Sequence, residues 1–289
     1  MDINRETKMR QAIELNGKCA VITGAASGIG LELAKKAASE GMQLILADIE
    51  LDKLISSINS NGLAEISTAI KVDVSLESEI KKLADLAFSK HPEVTLLFNN
   101  AGIGMNRTIW DHSHADWEWV MGVNLYSVTH AIRHFVPRML KQKNPGHIVN
   151  TASVAGLLST AGMSAYNASK HGVVTISETL YHEFNEMNAN IGVSVLCPAW
   201  VATGIHESQR NRPDRFGTHN QPPPGLSSSY EDRMAKAIHS GKLTASDMAT
   251  ETFKAIRENI FYVIPHRKIN QAIQTRMDDI LNLRNPTPI

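Results

Sequence analysis

The sequence has few cysteines, few aromatic residues and no excess of charge of either sign. Of its 289 residues, two are cysteine and 6% are aromatic, and 29 Lys and Arg balance 29 Asp and Glu. This balance leaves no overall positive field to attract polyphosphate, so we do not expect a non-specific nucleic-acid binder. An apolar fraction of 43% and a charged fraction of 20% exclude a disordered or fibrous chain.

The two cysteines are too few for a disulfide framework. Cys19 and Cys197 lie in the apolar runs KCAVIT and GVSVLC, which are typical of interior strands. We expect buried free thiols, which indicate a reducing compartment. A chain of this length buries about three quarters of its unfolded surface, so it needs no such cross-link.

Long apolar runs and metal-ligand clusters are also missing. No run approaches the ~20 apolar residues of a membrane span, and residues 1–18 lack the apolar core of a secretory signal. The twelve histidines are scattered, and His112 and His114 lack a third ligand at zinc spacing. We expect a cytoplasmic protein with no metal and no membrane partner.

Short apolar runs alternate with longer helical patterns, and no internal repeat is present. The runs are nearly continuous in apolar residues, as expected when both faces of a parallel sheet are covered. Repeated strand–helix–strand units indicate a doubly wound α/β sheet with right-handed crossovers. Strands are predicted at 18–23, 43–47, 69–72, 94–98, 147–151, 191–197 and 261–264. Helices are predicted near 28–40, 50–60, 76–90, 115–142, 164–188, 246–258 and 268–283.

One polar segment, 206–232, interrupts this alternation and contains the stretch PPPGLSSS. A long segment without regular structure is either a functional lid or a tolerated surface insertion, and its place after the sixth strand favours a lid. Its arginines either contact an anionic substrate or are solvated, and we favour solvation for Arg210, Arg212 and Arg215.

A glycine-rich turn, TGAASGIG at 23–30, joins the first predicted strand to the first helix. A helix N-terminus offers unpaired amides and a positive dipole end, and glycines let a pyrophosphate approach the backbone. The spacing is not that of GxGxxG, and such turns also serve helix–sheet packing. Its position favours a phosphate site, with candidate contacts Gly24, Ser27, Gly28, Ile29 and Gly30.

Two acidic residues end the second and third predicted strands. Asp48 follows Gly30 by 18 residues, where a carboxylate can bind an adenosine ribose and repel a 2′-phosphate. This favours NAD over NADP; the alternative is an N-cap for the helix near Glu50. Asp73 either contacts adenine or caps the helix after Ser75.

The residues Asn99-Asn100-Ala101-Gly102 follow the fourth predicted strand. Amide side chains and small residues at the carboxyl end of a strand suit the crevice in which open α/β sheets bind ligands. In isolation, the same residues are typical of a turn.

The most specific set is Tyr166 and Lys170 in YNASK, preceded by Ser153 at the end of the fifth predicted strand. The tyrosine and lysine are four residues apart and share one helix face. A phenol is a poor base at neutral pH, and a nearby ammonium favours its ionised form. Tyr166 can then exchange a proton with a substrate oxygen that Ser153 holds. Alone, the pair would indicate an exposed helix face; with Ser153 and the glycine turn, we interpret it as catalytic.

Taken together, these motifs resemble the short-chain dehydrogenase/reductase family over roughly residues 15–265. The likeness rests on TGAASGIG, Asp48, NNAG, Asn124, Ser153 and YNASK. It implies a single-domain Rossmann fold, with a seven-stranded parallel sheet in the order 3-2-1-4-5-6-7 and helices on both faces. It also implies hydride transfer between NAD(H), preferred over NADP(H), and a secondary alcohol or ketone. That strand order puts the two cysteines roughly 14 Å apart, too far for a disulfide.

The resemblance implies a role for each catalytic residue. Tyr166 matches the general acid/base, and Lys170 matches the residue that binds the nicotinamide ribose and lowers the tyrosine pKa. Ser153 matches the hydroxyl that polarises the substrate, and Asn124 the residue that holds a water of the proton relay. The implied cofactor contacts are Gly24, Ser27, Gly28, Ile29, Gly30, Asp48, Asp73, Val74, Asn100, Ala101, Gly102, Tyr166, Lys170, Pro198, Val201 and Thr203. The implied substrate contacts are Ser153, Tyr166 and Trp200.

The chain departs from the family pattern in two places. Ala199 replaces the usual glycine of a Pro-Gly segment whose backbone, with Thr203, contacts the carboxamide. Thr151 and Ala152 replace a commoner serine-rich form before Ser153. Neither change removes a catalytic group.

The implied organisation is one dehydrogenase domain with additions. We expect an N-terminal extension at 1–14, a substrate lid at 204–245 and a C-terminal helix and tail at 266–289. The resemblance implies a homotetramer or homodimer built on the helices at 115–142 and 164–188. The alternative function is a non-catalytic dinucleotide-binding or sensor protein, which would be expected to lose the Tyr, Lys or Ser that this chain retains.

Overall fold

Seven parallel strands form the centre of the molecule in the computed structural model, which describes residues 12–217 and 225–288. The strands are β1 (Cys19–Thr23), β2 (Gln43–Asp48), β3 (Ser67–Lys71), β4 (Leu96–Asn99), β5 (Gly146–Thr151), β6 (Ile191–Leu196) and β7 (Tyr262–Val263). Their order across the sheet is β3-β2-β1-β4-β5-β6-β7. The predicted Rossmann-type sheet and its strand order are therefore confirmed.

Helices cover both faces of this sheet because the strands alternate their apolar side chains between two cores. Val21 of β1 packs in one core and Ile22 in the other. One core also holds side chains from α3, α4, α5 and α6, and the other from α1, α2 and α8. The helices are α1 (Gly28–Ser39), α2 (Leu51–Ser60), α3 (Glu77–Lys90), α4 (His114–Met121), α5 (Ser127–Met139), α6 (Ser164–Glu186), α7 (Leu226–His239), α8 (Ala245–Glu258) and α9 (Asn270–Leu281).

The helix predicted at 115–142 is divided into two by a turn of different pitch. A π-helical turn, Gly122–Tyr126, separates α4 from α5. A capping box between Ser113 and Asp116 starts α4. Single π-turns within helices commonly occur at functional sites, and this one carries Asn124.

The prediction that 206–232 lacks regular structure is wrong for much of the described part. Two 3₁₀ turns occur at Gly204–Asn211 and Asp214–Phe216, and α7 begins at Leu226. Residues 226–232 belong to α7, but apart from Leu226 they are mostly serine and acidic residues. Their composition is typical of a loop, which is why the sequence did not predict a helix there. The three prolines at 222–224 and most of the N-terminal extension, residues 1–11, lie outside the described residues.

The two cysteines, Cys19 and Cys197, are free and buried, as predicted. Each is shielded from water by the packed sheet, and burial raises the pKa of each thiol to about 12. No described helix combines the length and apolarity that crossing a membrane requires.

Candidate active site

A crevice of about 440 Å³ lies at the carboxyl ends of the strands. Because parallel strands end at the same edge, residues far apart in sequence meet there. The crevice is lined by Asp48 at the end of β2, Asn100 after β4, Ser153 after β5 and Pro198 after β6. The strand order places Asp48 at one end of the crevice and Ser153 towards the other.

The glycine turn between β1 and α1 forms a tight backbone cradle. Gly24 and Gly28 have φ angles of +67° and +55°, in the left-handed region that favours glycine. A Cβ on Gly30 would lie 2.0 Å from the Gly24 carbonyl oxygen. The Ser27 side chain makes no capping hydrogen bond, so the first amides of α1 remain available to an anion. The cradle therefore fits a diphosphate.

Asp48 is not the N-cap of α2, which is Glu50; it lines the crevice, and its carboxylate binds two backbone amides. Its Oδ2 accepts a hydrogen bond from the Ala26 amide at 2.9 Å, and its Oδ1 accepts one from the Glu50 amide at 3.0 Å. It thus holds the glycine turn and the start of α2 in place while lining the crevice. Burial raises the pKa of this carboxyl.

Asp73 does not cap α3, whose N-cap is Leu76; its side chain instead stabilises the turn that precedes this helix. Its Oδ1 accepts hydrogen bonds from the Ser75 amide at 3.1 Å and the Ser75 hydroxyl at 2.6 Å. Its Oδ2 accepts one from Arg215 Nη2 at 2.6 Å. Both oxygens are therefore engaged, although Asp73 and the buried Val74 line the crevice.

Asn100 fastens the glycine turn to the end of β4. Its side-chain amide donates to the carbonyls of Thr23 at 3.0 Å and Gly24 at 3.3 Å. The Thr23 hydroxyl accepts in return from the amides of Asn100 at 3.0 Å and Ala101 at 3.1 Å. The NNAG residues form no turn, because Asn99 ends β4, and Asn100, Ala101 and Gly102 are part of the crevice wall.

The structure brings Tyr166, Ser153 and Lys170 together at the other end of the crevice. Ser153 Oγ accepts from the Ala155 amide at 3.1 Å and donates to the Pro198 carbonyl at 3.3 Å. Lys170 Nζ lies 5.7 Å from the centre of the Tyr166 ring. All three side chains are buried.

Burial dominates the electrostatics of this trio. It raises the pKa of Tyr166 to about 12, although a hydrogen bond with Ser153 lowers it in part. It lowers the pKa of Lys170 to about 8. The tyrosine pKa is therefore not depressed as predicted, because loss of hydration outweighs other effects and the ammonium is directed at the Thr151 carbonyl, 2.8 Å away.

Asn124 uses its side chain to position backbone. Its Oδ1 accepts from the Ile103 amide at 2.8 Å, and its Nδ2 donates to the Ile103 carbonyl at 3.0 Å. Nδ2 also donates to Ser169 Oγ of α6 at 3.2 Å. The side chain therefore joins the loop after β4 to the helix that carries Tyr166, and both its amide hydrogens are in use.

The segment after β6 completes the wall. Ala199 adopts no left-handed φ, so alanine replaces the family's glycine without strain, and its amide donates to His266 Nδ1 at 3.2 Å. Pro198, Val201 and Thr203 line the crevice, as does the partly exposed Trp200. No sequence signal pointed to His266.

Residues 204–217, here called the strap, lie against the crevice rim. The solvated interpretation of its arginines is wrong, because each guanidinium pairs with a carboxylate of the sheet domain. The three ion pairs are Arg210 with Glu50 at 3.1 Å, Arg212 with Asp116 at 2.6 Å and Arg215 with Asp73 at 2.6 Å.

The strap and α7 also supply crevice residues that sequence reasoning missed. Ile205 and Ser208 of the strap and Met234 and Ile238 of α7 line the crevice. Ser208 Oγ accepts from the Gly104 amide at 3.0 Å. Met234 and Ile238 are four residues apart, the helical spacing that could have identified them.

A doubly wound sheet with a glycine cradle after its first strand defines a Rossmann-type dinucleotide-binding protein. The model of the short chain dehydrogenase family matches residues 18–214. The chain belongs to that family and is an oxidoreductase acting on small molecules.

Several known proteins are similar over most of the chain. The CLA biosynthesis dehydrogenase/reductase of Lactiplantibacillus plantarum is 33% identical over 273 residues, covering 93% of this chain and 94% of the relative. The D-beta-hydroxybutyrate dehydrogenase of Cupriavidus necator is 35% identical over 196 residues, covering 68% and 75%. The crystal structure of a Burkholderia phymatum short-chain dehydrogenase/reductase in complex with NAD is 45% identical, with a TM-score of 0.93, and covers 96% and 99%.

Proposed function

We propose that this protein transfers a hydride between NAD(H) and a secondary alcohol or ketone, with Tyr166 as general acid/base. The observation that carries the proposal is the meeting of Tyr166, Ser153 and Lys170 in one crevice whose far end carries a diphosphate-fitting cradle. The complex of the Burkholderia phymatum relative with NAD supports the choice of cofactor. A purely structural role would not require a phenol, a hydroxyl and an ammonium to converge on one cavity.

The cofactor would be held by residues along the crevice. The first amides of α1 at Gly28 would bind its diphosphate, Asp48 its adenosine ribose and Lys170 its nicotinamide ribose. When bound, the nicotinamide supplies or accepts the hydride of the reacting carbon.

The protein's own residues manage the substrate oxygen. With its raised pKa, Tyr166 is protonated at neutral pH and donates this proton to a ketone oxygen during reduction. In alcohol oxidation it takes the proton back. Ser153 donates to the Pro198 carbonyl at 3.3 Å, which is long for a hydroxyl donor, so its hydrogen can turn towards a substrate oxygen. Lys170 is held in place by the hydrogen bond that its Nζ donates to the Thr151 carbonyl.

The two reaction directions are expected to respond differently to pH. In reduction, the acid form of Tyr166 is already present, so kcat/KM stays flat below about pH 8 and falls above it as Lys170, with a pKa of about 8, loses its charge. In oxidation, the phenolate fraction rises about tenfold per pH unit below the tyrosine pKa, so kcat/KM rises with pH up to about pH 8, above which loss of the Lys170 charge opposes the rise. Initial rates in both directions between about pH 6 and pH 10, at constant ionic strength, measure this. An oxidation rate that declines between about pH 6 and pH 8 would contradict the role of Tyr166.

The cofactor preference is expected to depend on the charge of Asp48. A carboxylate there repels a 2′-phosphate, so the unmodified protein should bind NADH more tightly than NADPH. Asp48→Ala is expected to raise the NADPH/NADH ratio of kcat/KM by about 10-fold or more, roughly 1.4 kcal/mol of removed repulsion.

A matched variant separates charge from structure at this position. Asp48→Asn removes the charge but keeps an oxygen for the Ala26 or Glu50 amide, so it should shift the ratio with less loss of stability. The dissociation constants can be read from the fluorescence of bound NADH and NADPH. Tighter binding of NADPH by the unmodified protein would show the assignment to be wrong.

A panel of secondary alcohols and ketones, followed by NADH absorbance, tests the proposed function itself. Turnover of any member by the purified protein, lost in Tyr166→Phe, supports the proposal. NADH binding without turnover of any member would favour a dinucleotide sensor instead.

We further propose a homodimer or homotetramer through α5 and α6. The exposed side chains of Leu140 and Met187, which directly follow α5 and α6, support a protein contact there. Two buried free thiols support the proposed cytoplasmic location.

A further inference from the structure

The wall around Tyr166 is apolar. Tyr166 packs against Ala155, Met163 and Ile205 in one hydrophobic cluster. Leu158, Trp200, Met234 and Ile238 line the same crevice, and Met234 lies beside Gly104, as does Ile205. Side chains from the segment after β5, from the strap and from α7 thus form one hydrophobic surface around the proposed reacting oxygen.

Charged side chains lie at the other end of the crevice. Asp48 ends β2, Glu50 follows β2 and Asp73 follows β3, whereas Ser153 follows β5. Three strand steps separate β2 from β5, which is roughly 14 Å at ~4.8 Å per step. The lysine at the Tyr166 end, Lys170, is directed at the Thr151 carbonyl.

The strap arginines are held away from this apolar end. Arg210 donates to Glu50 and to the carbonyls of Gly204 and Glu207, at 3.0 Å and 2.9 Å. If the Arg210 guanidinium moved to a substrate anion, Glu50 would lose this ion pair.

The other two arginines are also engaged with carboxylates. Arg212 is buried with Asp116, each side chain 5% exposed, and it also donates to the Phe216 carbonyl. Arg215 holds Asp73 and Ser75, both at 2.6 Å. Within residues 12–217 and 225–288, no cationic side chain that lines the Tyr166 end is left for a substrate anion.

A substrate carboxylate or phosphate at this end would lose its hydration without gaining a cation, which is costly for a buried charge. Resting on the proposed function, we propose that the substrate is an uncharged ketone or secondary alcohol whose carbonyl or carbinol carbon carries apolar groups. This distinguishes the chain from an enzyme that acts on short hydroxy acids, even though one similar protein is a D-beta-hydroxybutyrate dehydrogenase.

Two substrate comparisons test the inference with NADH and the full chain. In a series of straight-chain methyl ketones, kcat/KM should rise about threefold to fourfold per added methylene until the apolar wall is covered. An oxo-acid and its methyl ester share one skeleton and differ in charge. The ester should have a kcat/KM at least about 100-fold higher than the acid, because the acid leaves a carboxylate unpaired.

A variant of the wall gives a second measurement. Ile238→Thr keeps the branching at Cβ but replaces the ethyl arm by a hydroxyl, so it should lower kcat/KM for the longest ketone several-fold more than for the shortest. Its dissociation constant for NADH should not change. Ile55→Thr makes the same replacement on the outer side of α2, where Ile55 is exposed, and serves as the matched control.

The outcomes separate this inference from the proposed function. An oxo-acid turned over as well as its ester, or a kcat/KM that is flat along the ketone series, would overturn the inference and leave the proposed function standing. If neither ketone nor ester reacts while NADH binds, the proposed function fails, and the inference fails with it.

Discussion

Replacing Tyr166 by phenylalanine is expected to lower kcat by about 10³-fold while NADH binding persists. The substitution removes only the hydroxyl, and general acid–base catalysis by a positioned side chain contributes about 10²- to 10⁴-fold. The ring of Tyr166 packs against Ala155 and Met163, so phenylalanine preserves the wall. Steady-state rates by NADH absorbance give kcat, and fluorescence titration gives the NADH dissociation constant.

The matched control is Tyr126→Phe. Tyr126 is exposed beside α5, so it loses the same hydroxyl outside the crevice and should retain the activity of the unmodified protein. A Tyr166→Phe variant with full activity would exclude Tyr166 as the general acid/base.

Replacing Asp116 by alanine is expected to lower the free energy of unfolding by about 3–5 kcal/mol, the range for breaking a buried ion pair. The residue is 3% exposed. Its carboxylate lies 2.6 Å from Arg212 Nη1 and 3.7 Å from Arg107 Nη1, so its loss removes a carboxylate that two buried guanidinium groups share. Urea denaturation followed by circular dichroism measures the change.

Asp116 also accepts a hydrogen bond from the Ser113 amide at the start of α4, so two variants are needed to separate its roles. Ser113→Ala weakens the same cap without changing charge and should cost about 1 kcal/mol. Asp85→Ala removes a carboxylate from exposed pairs with Lys81 and Arg138, and we expect little change in its urea midpoint. Equal losses for Asp116→Ala and Ser113→Ala would refute a stabilising ion pair.

The sheet could be predicted because its physical cause is local. Strands buried on both faces need continuous apolar residues, and runs such as CAVIT in β1 and IGVSVL in β6 have them. The glycine turn could be predicted for a similar reason, since the backbone of Gly24 and Gly28 requires glycine. The position of the crevice could then be predicted from the parallel strand order, because ligands bind at the carboxyl ends of such strands.

Features that depend on distant partners could not be predicted. Glu50 lies 160 residues from Arg210, so nothing near either residue shows that they pair. The pKa of Tyr166 depends on burial by three separate segments, which four-residue spacing to Lys170 does not reveal. The π-turn at Asn124 could not be predicted either, because its residues are equally compatible with an ordinary α-helix.

The strap, which follows β6, forms ion pairs with carboxylates that lie much earlier in the chain and are therefore synthesised first. Glu50, Asp73 and Asp116 all precede β5, whereas their cations at 210, 212 and 215 follow β6. Until those arginines emerge, Glu50 and Asp73 at the crevice and the buried Asp116 each lack one cation that pairs with them in the folded protein. These three ion pairs can therefore form only after β6 has been synthesised.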